Sequence, residues 1–96
     1  MLKSVKYEIN QKGLEVNIEC ETIKEMARFR SAIESYAQEN ILYLEFKSYN
    51  DKEYQSKEFD TIVIEEDIEF LIDLENDLKE VIQLAKQEME IVGYWE

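Results

Sequence analysis

The sequence predicts an α+β fold of order ββαββα, an antiparallel four-stranded sheet with two helices mainly on one face and a long C-terminal helix. Three observations carry this. Period-two alternation on both sides of a Gln11-Lys12-Gly13 turn marks a hairpin, helical apolar spacing appears twice, and a β-branched run (Thr61, Ile62, Val63, Ile64) precedes the second helical stretch. With 96 residues, 45% of them hydrophobic, the chain is expected to form a single domain, 1–96, whose core needs no metal or disulfide.

In the first strand Val5, Tyr7 and Ile9 alternate with Lys6 and Glu8; in the second Leu14, Val16, Ile18 and Cys20 alternate with Glu15, Asn17 and Glu19. Thr22 followed by Glu25 is a capping box, in which each residue satisfies a free backbone donor of the helix start. Ile23, Met26, Phe29 or Arg30, Ile33 and Ala37 then recur at helical spacing, so the first helix is expected over residues 23–39, with Asn40 as its stop. The third strand is expected over 41–49, with Leu42, Leu44 and Phe46 on one face, and the fourth over 61–64, ending near Glu65. The second helix is expected over 67–92, on a stripe of Ile68, Leu71, Leu74 or Ile72, Leu78, Val81 or Ile82, Ala85, Met89 and Val92, ending at Gly93.

Such a helix is about 39 Å long at 1.5 Å per residue, against about 20–24 Å for a strand of six or seven residues. Part of it must overhang, bend or meet something else. The expectation is that the stripe covers the sheet. Leu71, Leu78, Ala85 and Val92, with Leu74 and Val81 between them, would also suit a coiled-coil seam, which gives the alternative reading of a structural or regulatory homodimer built on this helix.

The charge is lopsided. Of the net −12, residues 1–48 hold seven bases against eight acids and residues 49–96 four against fifteen. Between Glu58 and Glu80 stand ten acids and a single base, Lys79. On the second helix Glu69, Asp73, Asn76, Asp77 and Glu80 fall three or four apart, opposite the apolar stripe. Like charges at that spacing cost stability, while phosphates along a nucleic-acid strand have similar separation, so the row suits a Lys/Arg groove built for DNA or RNA. The expected partner-binding set is Asp60, Glu65, Glu66, Asp67, Glu69, Asp73, Asp77 and Glu80, with Tyr49, Tyr54 and Trp95 as anchors, because tyrosine and tryptophan are favoured at interfaces. The expected partner is a basic protein such as a nucleic-acid-processing enzyme. In size and charge the chain resembles the small acidic proteins that phages and mobile elements make to disarm host nucleases, including restriction inhibitors and anti-CRISPR proteins. The resemblance implies a nucleic-acid mimic that inhibits by occupying a groove.

Catalytic readings fare worse. Without histidine no Ser-His-Asp or Cys-His site can be built, and no Asp or Glu sits in an apolar run that would raise its pKa for paired-carboxylate chemistry. Cys20 alternates with core residues and reads as an inert buried thiol. No cofactor or metal is expected. Asp73, Glu75 and Asp77 copy the first three ligands of a calcium loop, but Leu78 and Leu84 stand where the turn glycine and bidentate glutamate are required. Tyr43, Lys47 and Tyr49 make a weakly basic strand face, yet the net charge of −12 opposes direct nucleic-acid binding. The longest apolar run, residues 41–44, is far short of the roughly 20 residues that span a bilayer, and the first residues lack a secretory apolar region. A cytoplasmic protein with no membrane partner is expected.

Overall fold

Alternation in the first twenty residues becomes β1 (Leu2–Asn10) and β2 (Gly13–Cys20), an antiparallel pair closed by Asn10 opposite Gly13. The computed structural model describes residues 1–49 and 57–95, and of Tyr49 the backbone alone. The Asn10 carboxamide oxygen accepts from the backbone N–H of Lys12 at 2.9 Å and of Gly13 at 3.2 Å, which ties the turn. Gly13 has φ 146°, and a Cβ there would run into the carbonyl oxygen of Ile64, so only glycine admits this close approach.

Helix α1 (Ile23–Glu39) begins where the capping box places it. Thr22 Oγ1 accepts from the Glu25 N–H at 3.1 Å and hydrogen-bonds the Glu25 carboxylate at 3.0 Å. Burial alone pushes the Glu25 carboxyl up, but hydrogen bonds from the Met1 amino group and from Thr22 outweigh it and hold its pKa below the usual carboxylate range. The chain then forms β3 (Glu45–Phe46), a 3₁₀ turn (Lys47–Tyr49), β4 (Phe59–Ile64) and α2 (Ile68–Ile91). The four strands form one antiparallel sheet of order β1-β2-β4-β3.

Two strand expectations need correction. β3 covers two residues, not 41–49. Residues 41 and 42 are taken by the end of α1, where Ile41 N donates to Gln38 O at 3.1 Å and Leu42 N to Ala37 O at 2.8 Å. Past Phe46 the Asp60 side chain replaces the ladder, accepting from Ser48 N at 3.2 Å and from Ser48 Oγ. β4 starts two residues earlier than residue 61, at Phe59, with Asp60 on its inward face opposite Ile18.

One core joins the layers. Leu14, Val16, Ile18, Ile62 and Ile64 on the covered face of the sheet pack beneath Met26, Phe29 and Ile33 of α1 and Leu71, Leu78, Val81, Ile82, Ala85 and Met89 of α2, all buried. Each of these side chains other than Ala85 contributes about 1.5–3 kcal/mol by leaving water. Lys6, Glu8, Asn17 and Glu19 point the other way and stay exposed, so among the described residues no second layer covers that face of the sheet. The stripe of α2 thus covers the sheet. Of its would-be coiled-coil residues, Leu71, Leu78, Val81 and Ala85 are buried inside the protomer, Leu74 is half-buried and Val92 is exposed. Cys20 is fully buried, its thiol 3.8 Å from the Met26 sulfur. Among the described residues no helix is long and apolar enough to cross a membrane.

Candidate functional site

Helix α2 carries the acidic residues because its pattern splits cleanly. Leu71, Leu78, Val81, Ile82, Ala85 and Met89 face the core, and the opposite side must then carry Glu69, Asp73, Asp77 and Glu80, all exposed. At spacings of four, four and three these carboxylates run along one line about 16 Å long. Glu65, Glu66 and Asp67 precede the helix in sequence and are also exposed. Glu66 and Asp67 lie just before the helix and Glu69 within its first turn, where the dipole favours negative charge; Asp67 makes no side-chain capping bond.

The single base of the stretch does not neutralise the row. Lys79 pairs with Glu75 at 2.8 Å and lies 5.1 Å from the centroid of the Tyr7 ring, on the flank of α2 that faces β1. None of Glu65, Glu66, Asp67, Glu69, Asp73, Asp77 and Glu80 makes an ion pair among the described residues. Four of the eight expected carboxylates, Glu69, Asp73, Asp77 and Glu80, therefore share one helix edge with Glu66 and Asp67 just before it, whereas Glu65 stands beside Glu15, Asn17, Thr61 and Val63 on the other face of the sheet.

Asp60 does not belong to that edge. Its side chain is 1% exposed and accepts from Ser48, from the Thr61 N–H at 2.8 Å and from Arg30 Nη1 at 3.2 Å. The charge ties α1 and the 3₁₀ turn to β4. Arg30 also donates to Ser48 Oγ at 2.8 Å. Close by, burial pushes the Glu34 carboxyl up, Arg30 opposes the shift and Asp60 adds to it. With Ser48 itself 1% exposed, this cluster ties the layers together inside the protein.

The aromatic anchors fare differently. Trp95 stacks edge-on against Phe29, with ring centroids 5.1 Å apart at 68°, and its Nε1 donates to Lys86 O at 3.4 Å. It closes the core beside Tyr94, over whose ring Arg28 sits at 4.6 Å, and is removed from the candidate surface. The Tyr49 side chain and all of Tyr54 lie outside the described residues.

Sequence reasoning missed the apolar part of the surface. Ile68 (72% exposed), Phe70 (51%) and Ile72 (65%) stand on the first turns of α2, interleaved with Glu69 and Asp73. Ile68 had been expected in the core stripe and is not there. The signal was present, since Ile68, Phe70, Leu71, Ile72 and Leu74 place five apolar side chains in seven residues, more than one helix face can bury. Tyr43, 86% exposed, lines a shallow hollow together with Glu65 and Glu66. Glu65, Glu66 and Asp67 do not converge as metal ligands; among the described residues no three acidic or cysteine side chains do.

What the fold and surface define is an α+β domain with one strongly acidic helix edge headed by exposed apolar side chains. No family model matches the chain, and no curated protein or solved structure matches it significantly.

Proposed function

We propose that this chain is a stoichiometric, non-catalytic binding protein that blocks or regulates a basic protein, of the kind that handles nucleic acid, by laying the acidic edge of α2 into its groove. The observation that carries the reading is the row Glu69, Asp73, Asp77 and Glu80 along one helix edge, with Glu66 and Asp67 just before it, all exposed and without ion pairs among the described residues. Ile68, Phe70 and Ile72 at its head add desolvated contact area, which a nucleic-acid groove alone would not call for and a protein surface would. Carboxylates supply orientation and fast encounter, and the apolar head supplies residence time.

The experiment is affinity capture from nuclease-treated lysate with wild type and with Asp73→Lys/Asp77→Lys, followed by titration of the captured protein against salt. A basic nucleic-acid-binding protein retained by wild type alone, with affinity falling steeply as salt rises, supports the reading. A partner held equally by the charge-reversed variant, or one indifferent to salt, refutes it.

A further inference from the structure

β1 is an edge strand of nine residues, whereas the opposite edge of the sheet, β3, is two residues long. The ladder shows which backbone groups β1 leaves open. Cys20 N donates to Glu58 O on the β4 side, while Glu21 N donates to Met1 O on the β1 side, so even residues of β2 bond toward β4 and odd residues toward β1. Ser4, Lys6 and Glu8, opposite Glu19, Asn17 and Glu15, therefore use their N–H and C=O groups within the hairpin. Val5, Tyr7 and Ile9 turn theirs to the open edge. Their side chains, on the covered face, are only half-buried.

An edge this long is a template for another strand unless something guards it. Lys6 is such a guard, but a selective one. We propose that β1 pairs antiparallel with β1 of a second copy of this chain, about a two-fold axis through Tyr7, to give one continuous eight-stranded sheet. In this register Tyr7 stands opposite Tyr7 and Val5 opposite Ile9, so the open N–H and C=O groups of all three residues bond across the axis. Lys6 of each chain then faces Glu8 of the other, on the uncovered sheet face, as the non-hydrogen-bonded pairs whose side chains approach most closely.

Charge selects that register. Sliding the strands by two residues sets Lys6 against Lys6 in one direction and Glu8 against Glu8 in the other, and sliding by one misdirects the backbone groups and exchanges the faces. Lys6 and Glu8 are both exposed and make no ion pair among the described residues of the protomer. At physiological salt the Debye length of about 8 Å screens most of the repulsion between two chains of net charge −12. The surface is distinct from the acidic edge of α2, and neither reading depends on the other.

Sedimentation of the full chain over a wide concentration range at physiological salt tests this. Wild type is expected to form dimers as concentration rises. Lys6→Glu and Glu8→Lys, each of which creates two like-charge pairs, should weaken the dimer about tenfold or more, and the double exchange Lys6→Glu/Glu8→Lys should restore it. Val5→Pro removes an N–H that the protomer does not use, so it should abolish dimers while leaving the circular dichroism of the fold intact. Asp73→Lys/Asp77→Lys should leave the dimer unchanged. Wild type that stays monomeric throughout, single charge variants that dimerise normally, or a double exchange that fails to rescue would each overturn the proposal.

Discussion

Both helices end in the same hydrogen-bonded motif, but with different residues at its left-handed position. After α2, Gly93 takes φ 75°, its N–H bonds Glu90 O at 3.3 Å, and Tyr94 N bonds Met89 O at 2.9 Å. After α1 the same two bonds form around Ile41 at φ 55°. For a β-branched residue that conformation costs toward the upper end of about 1–2 kcal/mol. Ile41 is 78% exposed, so trimming it forfeits only about 0.5 kcal/mol of burial, and glycine adds about 0.4–1 kcal/mol of unfolded-state entropy. Ile41→Gly should therefore stabilise the fold by about 0.5 kcal/mol, and Ile41→Asn, which tolerates the conformation without glycine's entropy, by about 1 kcal/mol. For a domain of this size that is a rise of about 2–8 °C in Tm, readable by circular dichroism alongside urea unfolding. Gly93→Ala is the reciprocal control. Gly93 has φ 75°, so a loss of about 0.5–1 kcal/mol is expected from the backbone angle. If Ile41→Gly destabilises, or Gly93→Ala is neutral, backbone strain does not govern these ends and the reasoning fails.

Asp60→Ala should cost about 2–4 kcal/mol in urea unfolding, because it strands the Ser48 and Thr61 N–H groups inside the protein and removes the buried carboxylate that Arg30 binds. Asp73→Asn and Asp77→Asn should each stabilise by about 0.2–0.5 kcal/mol at low ionic strength, an effect that fades when the same titration is repeated in high salt. Stability should also fall in alkali. Burial first, and Glu75 second, push Tyr7 from 10.0 up to about 12; burial and then Glu25 push the Cys20 thiol from 9.0 to about 12. Both groups bind their proton more tightly folded than unfolded, so their contribution is complete below the unfolded values and is lost as pH rises from about 9 toward 12, at no more than about 1.4 kcal/mol per pH unit for each group. Unfolding free energies of Tyr7→Phe and Cys20→Ala across that window should show shallower slopes than wild type; identical slopes would assign the loss to other groups.

The readable parts of the fold are those fixed by neighbours in sequence. Residues 23–39 were expected as a helix and α1 spans Ile23–Glu39, since Thr22 and Glu25 set its start and the run of residues at its end made Asn40 a natural stop. The hairpin was equally plain, because burial of one face forces period two on both strands. What could not be read depends on residues far apart. Nothing local separates the buried Asp60 from the exposed Asp73; the difference is Arg30, thirty residues earlier, and Ser48, twelve earlier. The shortness of β3 has the same origin, since the Asp60 carboxylate takes the backbone donor that a longer ladder would have used. At the candidate surface the acidic row was legible from helical spacing, whereas which of the five apolar residues in 68–74 are left exposed depends on how α2 packs on the rest of the fold.

The acidic residues sort by what folding asks of them. Asp60 is needed inside, Glu25 caps α1, and Glu75 holds Lys79 beside Tyr7. Asp67 and Glu69 suit the N-terminus of α2 through its dipole, an effect that dies out within the first turn. Asp73, Asp77 and Glu80 lie beyond that reach, at spacings where they repel one another, with the nearest lysine in sequence engaged on another flank of the helix. Folding gains nothing from their charge, and solubility would be served as well by carboxylates spread over the surface. Ile41 presents the same imbalance, an exposed apolar side chain held at a conformational cost where glycine would relieve it. Carboxylates that repel one another along one helix edge are what the proposed binding function would maintain, and Asp73→Asn or Asp77→Asn should stabilise the protein while weakening the proposed complex.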